Sequence, residues 1–374
     1  MTAPLDGVTV VSIEQAIAIP FATRQMADLG ATVLKLERPG TGDFARHYDG
    51  NVEGQSAFFV WANRGKHSIE IDTKAEGDRL EALLADADVY LQNLSPDAAR
   101  RAGLDAESVH GRHPHVVACE VSGYGDGGPR SSDKAYDLAI QAEAGVFDVC
   151  GEGEMRAKVG FSVADIAAGM YAFSGVLAAL VRRGRTGEGA VVKVSMLEAL
   201  TEWMSAPLLN AQAVGATPAR TARRHFAIAP YGTFRLADSS EVLIAIQNQA
   251  EWRRLCETVM GDASIADDSR FATNEQRITN VDELEDLIVR VFAALEPGIV
   301  RARLAQAELA VASVNTLHDV WAHEQLRARD RFVMTELPGG RTVETLRPPF
   351  DIDGLPPQDS WVPALGEDRR RDRS

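Results

Sequence analysis

The sequence predicts an α/β protein built on a doubly wound parallel sheet. Two observations carry that expectation. The chain opens with strand, helix and strand at the spacing of a βαβ unit, and the same alternation repeats through its first half. The length of 374 residues fits two or three domains, each able to bury a core.

The elements follow in order. Residues 8–14 (VTVVSIE) are a β-branched run, and 33–36 begin a second. Between them 20–29 has helical composition, with Pro20 suited to a first helical position and Gly30 to a C-cap. A strand at 68–72, a helix near 76–87 and strands at 88–93 and 116–122 continue the pattern. From 165 to 183 a helix carries Ile166, Met170, Phe173, Leu177 and Leu180 on one stripe. A strand at 191–194 and a helix from Met196 come next, and 215–224 (GATPARTARR) has linker composition. A second region opens with a strand at 241–246. Asn280 and Glu283 suggest a capping box for a helix bearing Leu284, Leu287, Ile288, Val291 and Leu295, stopped by Pro297-Gly298. The end, with Pro348-Pro349, Pro356-Pro357 and Arg369, Arg370, Arg371 and Arg373, reads as a solvated tail.

Composition narrows the function. Lys and Arg number 39 against 54 Asp and Glu, a net charge of −15 that disfavours nucleic-acid partners. A local basic pocket for one anionic cofactor stays open. No secretory leader is visible. The charge-free stretch 166–181 is 16 residues long, below the ~20 of a membrane helix, so it reads as a core helix and no membrane partner is expected. Cys119, Cys150 and Cys256 form no CxxC and look like reduced thiols of a cytoplasmic protein.

Motifs exclude much of the rest. There is no GxxxxGK[ST], HExxH or GxSxG, and the turn after the first strand lacks the glycines of a dinucleotide fingerprint. His110, His113 and His115 cluster around Pro114, which suits a turn better than a metal site. Asp165 stands just before a long apolar helix, where position alone favours an N-cap over a catalyst.

A resemblance goes further. Residues 5–14 (LDGVTVVSIE), 29–43 (LGATVLKLERPGTGD), 63–72 (NRGKHSIEID), 87–93 (ADVYLQN), 121–125 (VSGYG), 164–172 (ADIAAGMYA) and 186–196 (TGEGAVVKVSM) are similar to family III CoA transferases. So are 267–274 (DDSRFATN) and 314–320 (VNTLHDV). That family also contains the α-methylacyl-CoA racemases. The resemblance implies a Rossmann-like large α/β domain at 1–200, completed by about 345–374. It adds linkers at 201–227 and 326–344, a small domain at 228–325, and an interlocked homodimer. Acyl-CoA and a carboxylic acid would be the substrates, with no metal and no nucleotide redox cofactor.

By the same resemblance Asp165 is the nucleophile, forming an acyl–aspartyl anhydride and then an aspartyl–CoA thioester. Gln15 and Ala16 would touch CoA, Arg38 and Arg101 its phosphates, and Ile71 its adenine. Asn93 and Leu94 match an Asn–aromatic pair in which Leu replaces the aromatic. Lys134 and Tyr136 match a Lys-x-Tyr near the pantetheine, and Met196 would line the pocket. Without the resemblance, the cations read as surface charges and the apolar residues as core.

Tyr136 aligns with the general-base His of the racemases. A phenol of pKa ≈ 10 is a poor base near neutrality, so transfer is favoured over racemisation. A racemase or epimerase and a non-catalytic acyl-CoA-binding protein remain the alternatives. Tyr48 and the loop 246–252 (IQNQAEW) depart from the formyl-CoA:oxalate members, which leaves a short dicarboxylate or a carnitine- or bile-acid-like acyl group open.

Overall fold

A computed structural model of the chain describes residues 2–217, 219–355 and 360–370. Pro356-Pro357, Arg371 and Arg373 lie outside the described residues. Two compact units emerge: one comprises 1–146, 158–209 and 324–374, the other 147–157 and 210–323.

The larger unit carries strands β1 (Thr9–Ile13), β2 (Thr32–Glu37), β3 (His67–Glu70), β4 (Val89–Gln92) and β5 (Val117–Ser122). After the two-residue ribbon β6 (Gly151–Glu152) and β7 (Met155–Arg156) of the smaller unit, β8 (Ala190–Ser195) completes the sheet. Its order is β3-β2-β1-β4-β5-β8, and all its pairings are parallel. The α/β expectation therefore holds, with neighbours of β1 leading away in opposite directions. That is the topological switch point at which such sheets bind ligands. Val11, Leu34, Tyr90 and Ala118 pack one face of the sheet, and the buried Tyr90 hydroxyl donates to the Leu104 carbonyl at 2.8 Å.

The first helix, Ala18–Asp28, places Pro20 at its third position rather than its first. Gly30 follows the C-cap Leu29 with φ +95°, and a Cβ there would meet the Cβ of Ala3 at 2.4 Å. The long helix, Val163–Thr186, departs from the expected stripe. Its buried residues are mostly small: Ala164, Ala167, Ala168, Gly169, Ala172, Val176 and Ala179, with Phe173 among them. Met170 is exposed, and Ile166, Leu177 and Leu180 are half-buried. Close approach to the first helix explains this, because a Cβ on Gly169 would lie 2.6 Å from the Ala18 carbonyl oxygen. The helix has 24 residues, is long and apolar enough to cross a membrane, and has half of its most apolar window buried within the protein.

Further departures concern the ends. Residues 205–214, expected as linker, form a helix (Ser205–Val214) with no buried side chain. After the smaller unit's strands β9 (Tyr231–Arg235), β10 (Glu241–Ala245) and β11 (Ala310–Ser313), the segment 326–344 is no plain connector. It builds most of an antiparallel hairpin, β12 (Phe332–Glu336) with β13 (Thr342–Leu346), inside the larger unit. Arg369 is not a free tail residue: it pairs with Glu336 at 2.8 Å and lies over Trp361.

In the smaller unit β9, β10 and β11 form an antiparallel sheet over a core of Phe234, Ile244, Trp252, Leu284, Ile288 and Phe292. Asn280 precedes the helix Val281–Ala293 but makes no cap bond, its amide donating to Arg270 and Gln276 carbonyls instead. The capping box lies earlier, at Thr273 and Gln276. Pro297 both ends that helix's run and starts the next, Pro297–Gln306. In the loop 246–252, Asn248 caps the following turn, and Glu251 accepts from the Gln247 amide at 2.7 Å.

Candidate active site

The carboxyl ends of β1, β2, β4, β5 and β8 each feed a residue into one cavity of about 570 Å³ in the larger unit. Gln15, Ala16, Arg38, Asn93, Leu94, Lys134, Tyr136, Asp165 and Met196 all line it. Ile71 lies instead in an adjoining cavity of about 510 Å³ that shares Gln15, Arg38 and Leu94. Arg101 lines neither; it is exposed on the helix Pro96–Ala102. The neighbour that sequence reasoning missed is Lys74, an exposed cation lining the second cavity three residues past Ile71. Its signal was only position, since an isolated surface lysine is ordinary. Among the described residues, none of Arg38, Lys74 and Lys134 pairs with a carboxylate, so each keeps its charge available to an anion in the cavities.

The loop after β1 is held rigidly. Ala16 sits at φ +62°, a left-handed conformation that a side chain disfavours by about 1–2 kcal/mol. Asn93 grips Gln15 from both sides, accepting from its amide at 3.0 Å and donating to its carbonyl at 2.8 Å. The Ala16 amide donates to Asp43 Oδ1 at 3.1 Å. Asn93 thus has its side-chain amide committed to the loop.

Behind this loop lies a buried charge network. Asp43 Oδ1 also accepts from the Ala45 amide at 2.9 Å, and its Oδ2 meets Lys35 Nζ at 2.7 Å. Lys35 reaches Glu14 Oε1 at 3.3 Å, Lys66 reaches the same oxygen at 2.7 Å, and the Thr23 hydroxyl donates to Oε2 at 2.7 Å. Burial opposes ionisation of Glu14, but Lys66 and Lys35 outweigh it and hold the carboxyl below its usual range. Burial pulls Lys66 down to about 7 despite Glu14.

Asp165 lies in the first turn of the long helix, three positions past the N-cap Ser162, so it is not the cap. Asp137 takes that part from outside, accepting from the Ala164 amide at 2.8 Å and the Asp165 amide at 3.4 Å. Gln141 fixes Asp137 by donating to its other oxygen at 2.7 Å. Burial raises the Asp165 carboxyl to about 7, with the negative Asp137 adding to the effect. Across the cavity Tyr48 packs against Phe44 and Phe58 at 5.7 and 5.6 Å. Burial pushes its hydroxyl up to about 12, followed by the charges of Asp43 and Asp165, so it stays a protonated donor. A carboxyl balanced near neutrality, facing a phenol donor and unpaired cations, suits covalent acyl chemistry on a large anionic substrate.

The histidine cluster does other work. His113 Nε2 meets Glu81 at 2.7 Å and His110 Nδ1 the Val116 carbonyl at 3.0 Å. Among the described residues no group of three or more His, Cys, Asp or Glu is placed to hold a metal ion.

Comparisons with known proteins agree on one family. The profile of CoA-transferase family III matches residues 5–369. The succinate–glutarate CoA-transferase of Agrobacterium fabrum is 30% identical over 97% of this chain and 93% of its own. The acetyl-CoA:oxalate CoA-transferase of Acetobacter aceti is 36% identical over 79% of this chain and 75% of its own. A crystal structure of a CaiB/BaiF family protein from Brucella suis superposes with a TM-score of 0.85 at 32% identity, covering 100% of this chain and 99% of that one.

Proposed function

The chain belongs to CoA-transferase family III and is a CoA transferase, and we propose that it works through covalent intermediates on Asp165. The carboxylate attacks the thioester carbonyl of an acyl-CoA, giving an acyl–aspartyl anhydride and CoA thiolate. The thiolate attacks the aspartyl carbonyl, giving an aspartyl–CoA thioester and releasing the donor acid. The acceptor carboxylate then attacks that thioester, and the freed thiolate collects the acceptor's acyl group and restores Asp165. Over the whole cycle one thioester is broken and one is formed, so transfer needs no outside activation.

The observation that carries this reading is the Asp165 carboxyl in the wall of a cavity that also presents Arg38 and Lys134. Arg38, Lys74 and Lys134 are the groups we assign to the CoA phosphates, with Ile71 against the adenine and Gln15, Ala16, Leu94 and Met196 along the cofactor. We assign Asn93 to holding the loop, and leave Arg101 outside the contact set. Tyr48 is the donor for the oxyanion of each tetrahedral intermediate.

The relatives' names point to succinyl-CoA or acetyl-CoA as donors and to short dicarboxylic acids such as glutarate, oxalate and mesaconate as acceptors. We take a short dicarboxylate as the acceptor class here. We further propose a homodimer. It is supported by the apolar residues left outside, Met170, Tyr171 and Val181 on the long helix and Leu208 and Leu209 beyond it. Free thiols at Cys119, Cys150 and Cys256 suit a cytoplasmic setting.

Peptide mass spectrometry after mixing with succinyl-CoA or acetyl-CoA and trapping with hydroxylamine tests the mechanism. A hydroxamate on the peptide containing Asp165 is expected. CoA exchange that proceeds with Asp165 unmodified, and survives Asp165→Ala, would sink it.

A further inference from the structure

Strand β2 ends at Glu37, and the turn that follows, 38–43, runs along the cavity of about 510 Å³, which Arg38, Pro39, Thr41, Gly42 and Asp43 line. Within the turn the Gly42 amide donates to the Arg38 carbonyl at 2.9 Å. Gly42 takes φ +64°, and a Cβ there would lie 2.9 Å from Glu37 Oε1, so the carboxylate sits hard against the turn's backbone.

Glu37 grips the turn from behind. Its side chain is fully shielded from solvent. Oε1 accepts from the Asp43 amide at 2.8 Å and from Arg46 Nε at 2.9 Å. Oε2 accepts from Arg46 Nη2 at 2.7 Å and from the Ser68 hydroxyl at 2.6 Å. Burial opposes ionisation of Glu37, but the Arg46 fork, Lys35 and Ser68 outweigh it and lower the carboxyl to about 2. The group is therefore a charged acceptor throughout the neutral range.

The far end of the chain holds Arg46 and Ser68 in their turn. Arg46 Nη1 donates to the Pro363 carbonyl at 3.1 Å, and the Gly366 amide donates to Ser68 Oγ at 3.0 Å. The Trp361 carbonyl accepts from the Gly65 amide at 2.7 Å, and the Glu367 carbonyl from the Ser68 amide at 2.9 Å, so 361–367 lies against β3 and the turn before it. The Arg46 guanidinium also covers the Phe59 ring at 3.8 Å. One carboxylate thus ties together the turn, the short helix Phe44–His47, β3 and the C-terminal segment. A turn that must order itself on binding subtracts from affinity, whereas one already held does not.

We propose that Glu37 is a positioning residue for the nucleotide half of CoA. It holds the 38–43 turn, and with it Arg38, in the conformation that receives the phosphates, and residues 363–366 complete the brace through Arg46 and Ser68. The inference rests on the assignment of the adjoining cavities to CoA made above.

Calorimetric titration of CoA and, separately, of adenosine 3′,5′-bisphosphate into the full-length protein tests this. Glu37→Gln keeps the side chain's shape but loses its charge and half of its acceptor capacity. It is expected to weaken both ligands at least about tenfold at unchanged stoichiometry, as loss of a charge-assisted hydrogen bond implies. Ser68→Ala removes the link between Glu37 and Gly366 and should weaken both by about threefold. Stoichiometry counts the folded fraction, and scanning calorimetry follows melting. A variant that melts lower yet binds with wild-type affinity makes Glu37 structural only and overturns the proposal. Should Glu37→Gln fail to fold, Ser68→Ala decides, and undiminished CoA affinity there overturns it equally. A wild-type chain that binds CoA but not the bisphosphate overturns the nucleotide assignment and this proposal with it. Both ligands bound by wild type, and equally well by Glu37→Gln, overturn this proposal alone.

Discussion

Replacing Asp165 by Asn separates stability from catalysis, and the structure sets the size of the effect. Burial and the negative Asp137 raise the Asp165 carboxyl from 3.8 to about 7, so the folded chain favours the neutral acid. A raised folded pKa contributes stability that is fully present below the unfolded value and lost as pH rises through the folded one. Ionising Asp165 in place therefore costs up to about 4 kcal/mol above neutrality, at ~1.4 kcal/mol per pH unit. Because the side chain borders a cavity, solvent screening reduces this, and about 2–4 kcal/mol is the working range. Asn cannot ionise. The variant should match wild type near pH 4, gain steadily to pH 7 and hold that gain above it. Scanning calorimetry at pH 5 and pH 8.5 reads this as melting raised by roughly 4–8 °C at the higher pH and by less than half of that at the lower. CoA transfer should vanish in the same protein. A gain that does not change with pH, or a loss at pH 8.5, would refute the idea that the fold holds this carboxyl near its neutral form.

Four further outcomes are expected. The pH profile of kcat/KM should fall about tenfold per unit below pH 7, because only the carboxylate attacks, and Asp137→Asn should move that inflection to lower pH. Asp43→Ala leaves Lys35 buried without its nearest carboxylate and frees the Ala16 amide. Unfolding measurements should show a loss of about 3–5 kcal/mol, and CoA titration a weaker complex. Ala16→Gly should melt no lower than wild type, against the usual penalty of an alanine-to-glycine change, because φ +62° favours glycine. Lys74→Gln should weaken CoA binding severalfold in the same titration while leaving the folding transition in place.

The order of strands was legible because parallel βαβ units write themselves as alternating β-branched and helical segments. The cavity was legible only through family resemblance, which brought Gln15, Arg38, Asn93, Lys134, Tyr136 and Asp165 together from distant positions. Periodicity misjudged the long helix: it counts large apolar residues, whereas the buried seam is alanine and glycine chosen for close approach to the first helix. Capping logic misplaced Asp165 by three positions, because the acceptor for the helix amides comes from Asp137, 28 residues earlier. No local pattern announces a cap supplied from another element. Arg101 stands apart from the others, exposed on its short helix and lining neither cavity.

The network of Glu14, Lys35, Asp43 and Lys66 also constrains how this chain can diverge. Each member is fully shielded from solvent or nearly so and leans on another, so a single neutral replacement strands its neighbour's charge. A lineage can leave this arrangement only through a poorly folded intermediate or by changing two positions together. The four residues should therefore be inherited as a block. Their covariation, rather than the identity of any one of them, is what a collection of related sequences ought to display.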